Sequence, residues 1–186
     1  MTSTWLRDER TTLAAEQIID AAAALFAERG VAAVGMAEIA TAAGCSRATL
    51  YRYFDNRDAL RRAFVHREAQ RIGTAVAREL ADVSDPGERL VQAVLASIRL
   101  VRGDATLAAW FTATDAGTAT RIAQSSEVIE AMAAEFLGAS SLTDEAIRRR
   151  ARWVVRVLVS LLTDPGVDAE DERALVEEFL VPVVVG

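Results

Sequence analysis

Cysteine occurs once in 186 residues, at Cys45, so no disulfide can form within the chain. Histidine also occurs once, at His66, and the pair leaves no Cys/His set of the kind that holds zinc. Lysine is absent, so all 21 basic side chains are arginine. No apolar run approaches the roughly 18 residues that suggest a membrane span. The opening residues, MTSTWLRDERTT, are polar and hold no apolar stretch of a secretory signal. A lone thiol and no export signal point to the cytoplasm, with no membrane partner. Strand-like alternation is missing, and the glycines form no phosphate-cradling loop. Cys45 has no histidine near it in sequence, and His66, set among Arg62, Arg67 and Glu68, reads as a solvated helix face. These absences argue against an enzyme, a metal site or a cofactor.

Apolar side chains are abundant, at 52% of residues, which suits a globular protein of one or two small domains. The net charge of −6 argues at first against nucleic acid, but its distribution matters more. Residues 1–70 balance nine arginines against nine acids, so the whole deficit falls on residues 71–186. Between positions 35 and 67 six arginines (Arg47, Arg52, Arg57, Arg61, Arg62, Arg67) face three acids (Glu38, Asp55, Asp58). Salt screens distant charge within roughly 10 Å, so a locally basic segment of an acidic protein can still hold phosphate.

The apolar pattern is helical nearly throughout. Thr11 or Thr12 is expected to cap a first helix that runs to Arg29, with Ile18, Ile19, Ala22, Leu25 and Phe26 as its buried stripe. Gly30 suits the position after its end. A short second helix covers Ala37 to Ala43 with Gly35 as its cap. Gly44 and Cys45 make a tight turn, and Ser46 caps a third helix ending at Tyr53. Asn56 starts a fourth helix reaching about Leu80. Pro86 fits a first helical position. Further helices are expected at 86–101, 104–112, 115–137, 143–163 and 168–181, the fourth of these capped by Thr143, with Pro182 ending the last. The one candidate domain boundary lies at 65–82, dividing the chain into residues 1–65 and 66–186.

Two short helices joined by a sharp turn, the second exposed, form the geometry that puts a helix in a major groove. On the third helix Leu50 and Phe54 lie one turn apart and would pack on Ile39, Ala40, Ala43 and Phe26. Ala48 and Arg52 share the opposite face, flanked by Thr49 and Tyr51. That face offers a methyl, a guanidinium, a hydroxyl and a phenol, groups able to read base edges and hold phosphates.

The run I-A-x-x-A-G-x-S-x-x-T-L-Y-x-Y-F-x-x-R-x-x-L, from Ile39 to Leu60, resembles the TetR family of bacterial regulators. Ala21, Ala22, Leu25, Phe26 and Gly30 extend the likeness upstream. The resemblance implies that Tyr51 bonds a backbone phosphate and that Arg57, where the family usually has Lys, binds another. Arg47, Ala48, Thr49, Arg52 and Tyr53 would face bases or adjoining backbone, while Gly35, Met36, Ala37 and Ser46 lie near the phosphates. Gly35 stands where the family commonly has Thr or Ser, which removes a side-chain cap and a phosphate contact, and Ala48 replaces a frequent Gly.

For the remaining two thirds the resemblance implies an all-α domain that dimerises and holds a small effector. The residues from Trp153 to Leu162 are apolar on nearly all sides, as in a helix buried all round. Trp153, Val157, Leu161, Leu175 and Phe179 are the candidate dimer contacts. Ser97, Trp110, Phe111, Met132, Trp153, Arg156 and Ser160 are the candidate lining of an apolar, lipophile-holding pocket. Arg156 has three open roles: meeting an anionic effector, pairing with an acid across a dimer, or lying in solvent. The combined expectation is an all-α homodimeric regulator, a repressor released from a palindromic double-stranded DNA operator by a small effector. The alternatives are a DNA-binding regulator controlled by a protein partner and, more distantly, a non-DNA helical carrier or enzyme.

Overall fold

The computed structural model describes residues 3–112, 114–138 and 144–186, with side chains throughout except at 3–11 and 144. Helices account for the regular structure, and no strand occurs among the described residues. The chain divides into two compact units, Met1–Phe64 and Val65–Gly186.

The first unit contains α1 (Ser3–Arg29), α2 (Met36–Ala42), α3 (Arg47–Tyr53) and the start of α4 (Arg57–Glu79). Helix α1 begins well before the Thr11–Thr12 cap expected from sequence. No glycine or proline interrupts residues 3–29, so nothing forces a start at the threonines. Gly30, at φ 79°, takes the left-handed turn that ends α1, and its N–H reaches the Phe26 carbonyl at 2.9 Å. The core of this unit is Ile18, Ile19, Ala22, Phe26, Ile39, Ala40, Leu50, Phe54, Leu60 and Phe64. Phe26 and Phe64 meet edge to face, with centroids 5.8 Å apart.

The second unit holds the rest of α4, then α5 (Pro86–Arg102), α6 (Ala105–Ala108) with a 3-10 turn over 109–111, α7 (Ala116–Ser125), α8 (Glu127–Leu137), α9 (Asp144–Thr163), α10 (Ala169–Leu175) and α11 (Val181–Val184). Pro86 opens α5 under an Asp85 cap that accepts the Glu88 N–H at 2.7 Å. The single helix expected over 115–137 is two. Ser126 leaves helical geometry and its Oγ accepts the Ile129 N–H, capping α8 and ending α7. Pro182 does not end the last helix. Residues 176–180 widen into a π turn, and Pro182 sits in the first turn of α11 beyond it. A wider turn relieves the clash that a proline ring makes with the carbonyl four residues back. Thr143, expected to cap α9, lies outside the described residues.

Helix α9 corrects a further expectation. It is half-buried: Ala151, Val155, Val159 and Leu162 face inward, while Trp153, Arg156 and Ser160 are exposed. The apolar run conceals a two-sided helix because its outward residues are a tryptophan, an arginine and a serine spaced three and four apart. One salt bridge ties the turn after α9 to its surroundings. Both terminal nitrogens of the Arg102 guanidinium bond the buried Glu172 carboxylate, at 2.9 and 2.6 Å, and Nη2 also reaches the Leu161 carbonyl at 2.9 Å. Glu172 accepts the Gly166 N–H at 3.1 Å as well. Among the described residues, no helix is long and apolar enough to cross a membrane.

Candidate nucleic-acid interface

The turn between α2 and α3 is built by backbone chemistry. Gly44, at φ 66°, occupies the left-handed position. Its N–H bonds the Thr41 carbonyl at 3.1 Å, and the Cys45 N–H bonds that of Ala40 at 2.9 Å, the paired closure of a Schellman motif. Ser46 then starts α3, its Oγ accepting the Thr49 N–H at 3.0 Å. The Ser46 and Thr49 hydroxyls also bond each other at 2.9 Å, so Thr49 points its oxygen at the cap and not freely outward.

Helix α2 lacks a side chain at its cap position, yet the end is satisfied. Glu38 reaches back to accept the Gly35 N–H at 2.9 Å and also bonds the Arg29 guanidinium. The Gly35 N–H first, and Arg29 second, hold the Glu38 carboxyl below its ordinary range. This acceptor was missed from sequence. The signal was present, since a glutamate three residues after the cap is half of a capping box.

Leu50 and Phe54 are buried beneath α3, as are Ile39, Ala40 and Phe26. The outer surface carries Arg47, Ala48, Arg52 and Tyr51, all exposed, with Tyr51 at 40%. The Arg52 guanidinium lies 5.3 Å from the Tyr53 ring centroid, a cation–π contact that steadies a long side chain. Arg57 is exposed at the start of α4 and bonds the Ala32 carbonyl weakly at 3.4 Å. The Asn56 side chain caps that helix through the Ala59 N–H at 2.9 Å. Ser46 and Ala37 are exposed and Gly35 is half-buried. Met36 is buried in the core, which leaves its side chain little surface to offer. An unbranched apolar chain at the first turn of α2 folds under the helix.

The basic segment is smaller than its arginine count. Arg61 is buried, donating to the Val31 carbonyl at 2.6 Å and pairing with Asp58 at 3.5 Å. Arg67 pairs with Glu68 at 3.1 Å. Arg47, Arg52, Arg57 and Arg62 remain exposed. His66 is not a solvated residue. It is half-buried, and its Nε2 lies 2.8 Å from the Ser126 Oγ that caps α8.

The structure does not gather the seven residues expected to line a pocket. Trp110 is buried, Phe111 and Met132 are partly buried, and the Ser97 hydroxyl bonds the Ala93 carbonyl of its own helix at 2.7 Å. Trp153, Arg156 and Ser160 are exposed on the outer side of α9, away from the buried Trp110. An open groove along α4 is lined by Gln70, Arg71, Thr74, Ala75 and Arg78, none of them in that set. Of the five expected dimer contacts, Leu175, Phe179 and Trp153 are exposed and Val157 half-buried. Leu161 belongs to the core, because it lies on the inner side of α9 beside Leu162.

Comparison with known proteins agrees with this geometry. The profile described as bacterial regulatory proteins, tetR family, matches residues 18–64. An uncharacterised HTH-type transcriptional regulator of Mycobacterium tuberculosis is 54% identical over 181 residues, spanning 97% of this chain and 90% of the relative. Two solved structures share the fold. RolR in complex with resorcinol superposes with a TM-score of 0.70 at 22% identity, over 95% of this chain and 90% of its own. The Rhodococcus erythropolis repressor QsdR gives 0.67 at 21% identity, over 94% and 95%. The capped third helix on its buried seat, the family profile over residues 18–64 and the full-length likeness together make the chain a DNA-binding transcriptional regulator of the TetR family.

Proposed function

We propose that the protein is a homodimeric repressor whose two α3 helices enter successive major grooves of a palindromic operator. The observation that carries this reading is the exposed row Arg47, Ala48, Tyr51 and Arg52 over the buried Leu50 and Phe54. In that arrangement Arg52 reads base edges, small Ala48 allows close approach, and Tyr51 and Arg57 hold phosphates. Phosphate contact supplies most of the affinity, and the bases supply the choice of sequence. Acting on chromosomal DNA, the protein works in the cytoplasm and performs no chemistry of its own.

Control comes from a small effector that binds the second unit and prefers a dimer arrangement unsuited to the operator. Neighbours of the same fold bound to resorcinol and to stearoyl-CoA support an organic small-molecule ligand of the second unit. Ser97, Trp110, Phe111 and Met132 are the interior residues retained for that role. Selection of bound fragments from genomic DNA, followed by affinity against salt, tests the core of the proposal. A dimer touching about 6–10 phosphates should lose about 10³–10⁵ in affinity from 50 to 200 mM salt. Binding insensitive to salt, or no enriched palindrome, overturns it.

A further inference from the structure

An uncovered face crosses α9 and the α10–α11 segment, and its centre is one positive and one negative side chain. Trp153, Val157 and Ser160 line it on α9, and Leu175, Phe179 and Val183 on the α10–α11 segment, which meets α9 through α11. Trp153 is 44% exposed, Phe179 64% and Val183 54%, large values for apolar side chains on an ordered helix pair. Both elements pack their inner sides on α5, so their outer sides face away from it together.

The two elements run antiparallel. Arg150 donates to the Val184 carbonyl, which sets the start of α9 beside the end of α11. Arg102 grips Leu161 and Glu172 at once, which sets the end of α9 beside the start of α10. Arg156 is midway between Arg150 and Leu161, and Glu178 is midway between Glu172 and Val184. The two therefore stand at the same height, one on each helix, at the middle of the face. Both are exposed, and among the described residues neither makes an ion pair or a side-chain hydrogen bond.

We infer that Arg156 and Glu178 set the orientation of the homodimer by pairing with Glu178 and Arg156 of a second copy. This rests on the dimer proposed above. Two symmetric ways of laying this face on itself keep the helices aligned, and charge separates them. A two-fold axis across the helices stacks Arg156 on Arg156 and Glu178 on Glu178. A two-fold axis along the helices stacks α9 on α10 of the second copy and brings each arginine over a glutamate, twice, since contacts in a two-fold interface are reciprocal. The second arrangement also sets Trp153 between the heights of Phe179 and Val183 of the second copy, and Leu175 between those of Val157 and Ser160. Apolar residues flank the pair on both sides, so the charges would be shielded from salt and like charges there would repel strongly.

The reciprocity makes a selective test. Arg156→Glu puts two carboxylates over each contact in its own homodimer, and Glu178→Arg puts two guanidinium groups there. In a heterodimer of the two variants both contacts are restored. Each variant alone is expected to raise the dimer dissociation constant at least tenfold in sedimentation equilibrium. An equimolar mixture of differently tagged variants should yield mainly heterodimer by native mass spectrometry. Both positions are exposed, so an unchanged helical signal and cooperative melt confirm folding. If wild type is a dimer and either variant dimerises equally well, the pairing is wrong while the dimer stands. Weak variants that fail to recover on mixing also overturn the pairing. A monomeric wild type removes the dimer itself.

Discussion

Replacing Glu172 tests the link that holds the α9–α10 turn to α5. Its side chain is 6% exposed, and that of Arg102 37%, so one partner is buried and the other half-solvated. The carboxylate accepts two bonds from Arg102 and one from the Gly166 N–H. Charge-assisted bonds are worth about 1.5–3 kcal/mol each. Glu172→Gln keeps the shape and one oxygen but turns an amide donor toward a guanidinium, forfeiting roughly one such bond. Water at Arg102 offsets part of that, so the expected cost is about 2 kcal/mol, below the 3–5 of a fully buried broken pair. Glu172→Ala should cost about 3 kcal/mol, having lost all three bonds. For a chain of this length about 2 kcal/mol corresponds to a fall of roughly 4–8 °C in Tm. The assay is thermal unfolding followed by helical circular dichroism at fixed protein concentration, with Arg102→Ala completing a double-mutant cycle. Arg102 first, and the Gly166 N–H after it, lower the folded-state pKa of Glu172 below its unfolded value. Its contribution is therefore present above the unfolded carboxylate pKa and lost as pH falls through the folded one. The gap between wild type and Glu172→Gln should narrow steadily below about pH 5. A coupling under about 0.5 kcal/mol, or a gap independent of pH, would refute the reasoning.

Four further outcomes are expected. Ser46→Ala removes the acceptor for the Thr49 N–H and should destabilise the first unit by about 1 kcal/mol, with weaker operator binding in electrophoretic shifts. Arg52→Ala should relax base preference in a fragment selection, whereas Tyr51→Phe and Arg57→Ala should weaken all sequences alike, Arg57→Ala also lowering the salt slope by about one. Met36→Leu, which keeps an apolar chain in a buried site, should leave DNA affinity unchanged; a loss in a titration would return Met36 to the interface. Gly166→Ala places a Cβ 2.7 Å from Asp171 Oδ2 and 2.8 Å from Glu172 Cγ, and should lower stability by about 1–3 kcal/mol in urea unfolding.

Elements whose ends carry local chemistry were legible in the sequence. Gly30, Gly44, Ser46, Asn56 and Pro86 each mark a boundary, because a left-handed turn, a hydroxyl or amide acceptor, or a missing N–H acts within a few residues of itself. The face of α3 was legible for the same reason: Leu50 and Phe54 inward and Arg52 outward follow from helical spacing alone. Where several local signals compete, sequence did not decide. Ser126 lies in a run with helical spacing on both sides, and only its bond to the Ile129 N–H shows that it caps instead of continuing. Pro182 reads as a stop, yet a π turn before it lets the helix continue.

Residues whose role depends on long-range partners were the least legible. Arg61 is indistinguishable from Arg62 by type and neighbourhood in the chain, but the roughly 100° between successive helical residues carries it to the Val31 carbonyl thirty residues away. The basic patch therefore cannot be counted from arginines; it is the subset that helical phase leaves outside. The same logic governs α9. Its apolar content suggested burial on all sides, while its phase separates an inner row, Val155, Val159 and Leu162, from an outer row holding Trp153 and Arg156. A buried charge without a partner costs several kcal/mol, so Arg156 could not have stood on the inner row unpaired. Its place outside, amid exposed aromatic and aliphatic side chains, is what the proposed dimer face requires. An effector pocket asks the opposite, side chains turned inward, and of the seven residues assigned to it from sequence only Ser97, Trp110, Phe111 and Met132 are buried or partly buried.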